Sequence, residues 1–417
     1  MKWWLGLFCS VLLCTLFGCG GDGRQESLVV VLDGYGDSSV LQAVPFPQTS
    51  DVRVLQTPHV SMWSDVHFDQ AEMFLFRREG GFGDFASFYQ KAQSQISQDP
   101  ARPNLQKQGD KWVPQDFDSL VLVSALYHLE NVISYFLDVV KDDSGATKSP
   151  LHVGVYPDIS TLGQREYAVA DNASYSFLLD MIFLRQLAVQ RGVPYNMNPA
   201  VLAHEFQHRV FHYNVWNKGE KARQYYWEKI RNGKDLLDTR SKNLLDATDE
   251  GLADLYAIGF VQDPSAFRHV FKGTLSAFRR DLNGQFAQQA NYDALARLDD
   301  WYAKQWRCGY AINFQESQKN WNKYCLGTVV SRALWEASGR DFVVLREQLL
   351  PLVNASLQDM GLRIVEQGRY DVNLFFNVVI SRAVKENMQP MREQLCLSVW
   401  RRFRSLYDPL RVPACFF

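Results

Sequence analysis

His204 and His208 stand four residues apart in HEFQH, with Glu205 directly after the first. On a helix, residues four apart share a face. Both imidazoles can therefore offer nitrogen to one ion, while Glu205, turned by about 100°, reaches beside it. The chemistry implied is metal-assisted hydrolysis: two histidine ligands for zinc and a carboxylate placed to take a proton from water. With only eight histidines in the chain, ordinary core histidines are a weak rival for this spacing. His212 extends the series, but about 12 Å of axial rise separates it from His204, too far for one ion to bind both. Packing or a hydrogen bond at the helix end is expected of it.

A third ligand must come from elsewhere. A histidine at the metzincin spacing is excluded, because that position is Asn214. In TDEGLADLYA, Glu250 and Asp254 again stand four apart on an expected helix. Glu250 can complete a two-histidine, one-carboxylate site, and Asp254 can accept the outer N–H of a ligand histidine. Glu228 is the rival, but four residues beyond it stands Asn232 rather than a carboxylate, so Glu250, 42 positions after His208 (250 − 208), is preferred. The charged stretch between, NKGEKARQYYWEKIRNGKDLLDTRSK, is read as a helical insertion near the cleft with a solvated face.

The elements that must hold these residues follow from periodicity and capping. Asn198-Pro199 supplies an N-cap and a first-turn proline for the histidine helix. DSLVLVSALYHLENVISYFLDVV predicts a long, largely buried helix behind a capping Asp, LHVGVYP a half-buried strand, and YAVADNASYSFLLDMIFL further strands. Beyond Asp246 most segments read as helices. Residues 28–112 are expected to form a small β-rich N-terminal lobe, with a short helix in FASFYQKAQSQ and a proline-marked linker over residues 97–115. The fold class is α+β, with residues 113–417 as the catalytic domain. There is no internal repeat, and no apolar run after the N-terminus is read as membrane-spanning.

The N-terminus, MKWWLGLFCSVLLCTLFGC, reads as an export signal over residues 1–18. Its ending, Leu16-Phe17-Gly18-Cys19, resembles a bacterial lipobox, which implies a lipid on Cys19 and a tether over residues 19–27; a plain signal peptide and an uncleaved anchor are the alternatives. The expected location is the bacterial cell envelope, with the membrane as partner through that lipid. Cys308, Cys325, Cys396 and Cys415 then remain in an oxidising compartment. Four cysteines allow three pairings; the local ones, 308 with 325 and 396 with 415, are preferred because each closes a short loop. Lys plus Arg number 44 against 46 Asp plus Glu, so no basic field marks a nucleic-acid partner.

HEFQH followed by DEGLAD resembles the gluzincin metallopeptidases of the thermolysin and fungalysin kind, and further likeness extends over about residues 115–417. The resemblance implies a zincin-like catalytic domain with one zinc, Glu250 as third ligand, and Asp254 as hydrogen-bond partner of a ligand histidine. DNASYSF, through Asn172, Ala173 and Tyr175, resembles the edge strand along which such enzymes lay an extended peptide. CLGTVVSRALWEAS resembles a packing helix of the family through Gly327, Ala333, Leu334 and Trp335. Where relatives carry a histidine before that helix, this chain has Tyr324, which either donates to a developing oxyanion or is structural.

The expected function is a zinc-dependent endopeptidase acting on a peptide or protein substrate, with Glu205 as the general base. The alternative is a lipid-anchored binding or assembly protein that keeps the fold without turning over peptides. The intact Glu205, which catalysis needs and ligation does not, argues for the enzyme.

Overall fold

The computed structural model describes residues 28–34, 39–47, 51–69, 97–161, 164–166, 173–177, 179–184, 194–217, 219–232, 237–272, 274–296, 308, 323–404 and 415. The expected signal, Cys19, Asn172 and the FASFYQKAQSQ helix lie outside the described residues.

Two sheets form the β part. The smaller has the order β2-β1-β6-β5, from β1 (Leu28–Asp33), β2 (Val40–Pro45), β5 (Leu105–Gln108) and β6 (Lys111–Pro114). The larger runs β10-β11-β7-β3-β8-β9, with β4 (Ser97–Pro100) paired to β3 (Val60–Asp69). Its other members are β7 (Leu151–Val155), β8 (Asp158–Thr161), β9 (Gln164–Glu166), β10 (Ala173–Ser176) and β11 (Met181–Leu184). β11, β7 and β3 run parallel to one another, from Ile182 opposite Val153 to Val153 opposite Met62, and these residues are buried. Strands covered on both faces read as continuous apolar runs, as MIFL does.

The smaller sheet is built from the N-terminal segment, but β3 sits between β7 and β8, so the same segment also supplies an interior strand of the larger sheet and is not set apart at residue 112. The expected linker over residues 97–115 is likewise strand: β4, and then a hairpin of β5 and β6 turned by Gly109 and Asp110. Gly109 has φ +64° and Asp110 is not among the positive-φ residues, which fits a two-residue II′ turn. Pro100 and Pro114 fall at strand ends, where the missing N–H breaks no interior ladder.

The longer helices are α1 (Phe117–Asp138), α2 (Pro199–His212), α3 (Glu220–Asn232), α4 (Thr239–Val261), α5 (Lys323–Ala337), α6 (Leu350–Gln367), α7 (Val372–Lys385) and α8 (Gln389–Arg402). This is an α+β fold, strands first and helices after. α1 is capped by Asp116, whose carboxylate accepts from Ser119 N–H at 2.7 Å. By length and composition α1 is apolar enough to cross a membrane, unlike the expectation, but here it is a core helix. Ser124 is buried and its Oγ accepts from Leu32 N–H of β1 at 2.9 Å, while His128 Nε2 meets Leu32 O at 2.9 Å.

Two close crossings assemble the helices around α4 and α6. A Cβ at Gly251 of α4 would overlap the carbonyl oxygen of Gly327 on α5, and one at Gly361 of α6 would overlap that of Val215. Ser331 Oγ on α5 donates to Gly251 O at 2.6 Å, fixing the register of the first crossing. The structure pairs Cys308 with Cys325, at the start of α5, and Cys396 on α8 with Cys415.

Candidate metal centre

α2 begins as its sequence requires: Asn198 caps it by accepting from Ala200 N–H at 3.0 Å, and Pro199 takes the first turn. The helix is buried along nearly all its length, which holds His204 and His208 on one fixed face. Their rings stand at 87° with the two Nε2 atoms 3.2 Å apart.

Glu250 arrives from α4. Its Oε2 lies 3.2 Å from His204 Nε2 and 3.7 Å from His208 Nε2. An ion about 2.1 Å from three tetrahedral ligands needs those ligands about 3.4 Å apart, and this triangle has that size. Glu250 Oε2 is also buried and accepts no hydrogen bond among the described residues, although a buried carboxylate oxygen normally has a donor. The donor set of two imidazoles and one carboxylate suits zinc. The residues present therefore fit the ion.

Both histidines are braced from behind. His204 Nδ1 lies 3.0 Å from Asp254 Oδ1, and His208 Nδ1 lies 3.0 Å from Asp249 Oδ2. A proton on His204 Nδ1, facing Asp254, leaves its Nε2 lone pair turned inward, whereas His208 Nδ1 and Asp249 are at ion-pair distance without a hydrogen bond aligned between them. Arg280 Nη2 also comes 3.1 Å from His204 Nδ1, but a guanidinium cannot accept. Assigning the Nδ1 proton to Asp254 keeps that carboxylate as acceptor for both. Arg280 Nε donates to the two Asp254 oxygens at 3.0 and 2.9 Å, with its guanidinium 4.1 Å from the Phe267 ring centroid and 4.8 Å from that of Tyr324.

The cluster favours positive charge. Without an ion, burial opposes a charged His208, but Asp249 and Glu250 outweigh it and push its pKa up to about 10, so an ion binding there would displace the Nε2 proton. For His204 burial and Arg280 act downward, and the neighbouring carboxylates of Asp254 and Glu250 prevail upward. Burial would raise Glu250, yet His208, His204 and Lys323 hold it well below the usual carboxylate range.

Glu205 lies beside the triangle, 8% exposed, and its Oε2 accepts from Tyr175 N–H of β10 at 2.8 Å. β10 ends the larger sheet, so this N–H belongs to the strand edge that faces the cleft. The Tyr175 phenol donates to Asp180 Oδ1 at 3.0 Å. Asp180 in turn receives Arg209 of α2 through Nε at 2.8 Å and Nη2 at 2.9 Å, and Tyr213 OH at 2.7 Å. Edge strand and histidine helix are thus tied by one buried carboxylate.

The cleft over these groups has a volume of about 500 Å³. Ala173, Tyr175 and Tyr324 line it. Burial first, then Glu250, push the Tyr324 phenol up to about 12, so it keeps its proton at neutral pH and can donate. His212 is outside the ligand triangle and packs edge-on against Tyr226, ring centroids 4.9 Å apart. Glu228 is exposed on α3, so the rival ligand falls away.

Arg280 at Asp254 was not foreseen from sequence, and neither were three further features. Asp249 is the partner of His208, and Lys323 forms an ion pair with Glu250 Oε1. The inserted stretch is not merely a solvated face either. Tyr226 and Trp227 of α3 are buried, Trp216 stacks on Tyr225 and Tyr226 with centroids 5.9 and 5.3 Å away, and Trp216, Tyr225 and Tyr226 line the cleft. The YYW triplet was the available signal.

No protein-family model matches the chain, and no curated protein does. Among solved structures it is similar to a precursor of protealysin, a metalloproteinase from Serratia proteamaculans, at 14% identity and a TM-score of 0.43 over 84% of this chain and 90% of that one. A likeness of that order carries no functional weight.

Proposed function

We propose that the protein is a zinc-dependent endopeptidase of the gluzincin type. The reading rests on one observation: Nε2 of His204, Nε2 of His208 and the undonated Oε2 of Glu250 converge on a point beside Glu205, at the open cleft. Zinc, when bound, supplies the Lewis acidity that makes water nucleophilic near neutral pH.

The chain's own residues do the rest. Glu205 takes a proton from the attacking water and returns it to the leaving amine. Tyr175 N–H holds the Glu205 carboxylate in place beforehand, at 2.8 Å. The outer edge of β10 can hold an extended peptide by main-chain pairing. Tyr324, protonated and lining the cleft, is placed to donate to the oxyanion of the reacting carbonyl. We further propose attachment to the bacterial envelope through Cys19, on the strength of the lipobox-like ending alone.

Cleavage of a quenched-fluorescent peptide library tests the reading. Activity that disappears with a chelator and returns with zinc is expected; a folded, zinc-loaded chain that cleaves nothing would favour the binding-protein alternative.

A further inference from the structure

The two oxygens of the Glu250 carboxylate have different surroundings. Lys323 opens α5, and its ammonium forms an ion pair with Glu250 Oε1. The other oxygen, Oε2, is buried without a hydrogen-bond donor among the described residues and faces the two imidazole nitrogens at 3.2 and 3.7 Å. One oxygen is thus paired with an ammonium and the other turned toward the imidazoles.

The backbone enforces this division. Lys323, Gly327 and Ser331 are spaced by four residues and share one face of α5. Gly327 meets Gly251 at the close crossing with α4, and Ser331 Oγ donates to Gly251 O at 2.6 Å. Glu250 directly precedes Gly251. The crossing therefore lays the first turn of α5 over Glu250, and the disulfide from Cys325 to Cys308 anchors the same turn. The Lys323 side chain is 41% exposed, so it fills no core volume.

We propose, on the basis of the zinc-peptidase reading, that Lys323 is a positioning residue that restricts Glu250 to one-oxygen ligation. A carboxylate freed of its ammonium can turn both oxygens to a metal. Doing so would crowd the position that water must occupy in a catalytic site, where three protein ligands leave a fourth place open.

Cobalt(II) reports this directly, because its visible absorption weakens stepwise from four- to five- to six-coordinate ions. The full chain, its Lys323→Met variant and its Lys323→Arg variant are loaded with cobalt alone and compared. The expected result is stoichiometric cobalt in all three, strong absorption in wild type and Lys323→Arg, and weakened absorption in Lys323→Met. With zinc, Lys323→Met should lose about 10–100-fold in kcat with KM little changed. A Lys323→Met spectrum and kcat equal to wild type would overturn the role of Lys323 alone. A Lys323→Met chain that takes up no cobalt would also overturn it, by making the lysine necessary for binding rather than for its mode. A folded wild type that takes up neither cobalt nor zinc would overturn the zinc reading itself.

Discussion

The Tyr175 N–H and the Glu205 carboxylate meet at 2.8 Å, joining the edge of the larger sheet to the helix that carries both histidines. One contact therefore ties the strand on which a peptide can lie to the group that must move its protons. Behind it, Asp180 receives the phenol of Tyr175 and the guanidinium of Arg209, so strand and helix are fixed twice over.

That second tie gives a stability prediction. Burial acts to raise the Asp180 pKa, but Arg209 outweighs it and the carboxyl is held below its usual range. A folded-state pKa below the unfolded one stabilises above the unfolded value and is lost as pH falls through the folded one. Wild type should therefore lose this contribution only below its ordinary pKa of 3.8. Asp180→Asn leaves Arg209 buried without its partner charge and should cost about 3–5 kcal/mol at neutral pH. Denaturant titrations at pH 7 and in acid check both, the variant showing a smaller acid-dependent loss.

The carboxylates behind the imidazoles should act on metal affinity. Asp249→Ala and Asp254→Ala are each expected to weaken zinc binding by about 10–100-fold, read by competition with a chromophoric chelator. Asp249 is the sharper test, since a solvated surface acid would leave affinity unchanged.

The crossing of α4 and α5 should tolerate no methyl group. Gly251→Ala drives a Cβ into Gly327 O, and the backbone must yield. A loss of about 1–3 kcal/mol is expected, typical of overpacking. Thermal unfolding of the metal-free chain measures it, and an unchanged midpoint would show that the helices separate freely.

Much of the site could be read in the sequence, because a helix turns residue spacing into a shared face. His204, His208, Glu250 and Asp254 all follow from steps of four. Asp249 did not follow, since it partners His208 only through the angle at which α4 crosses α2. Lys323 and Arg280 lie 73 (323 − 250) and 26 (280 − 254) positions from the carboxylates they meet, and no local pattern announces such pairs. In the fold, the α+β order was legible. The place of β3 between β7 and β8 was not, because parallel pairing leaves no short turn as a signal. Prolines at strand ends likewise disguised β4 and β6 as linker.

The measurement to make first compares the full chain with Glu205→Gln, reading zinc content and cleavage of the quenched peptide library on the same samples. With Glu205 as proton carrier and not ligand, both proteins should hold one zinc per chain and only the wild type should cleave. Cleavage retained in Glu205→Gln would contradict the assignment of the general base and, with it, the mechanism built on this helix.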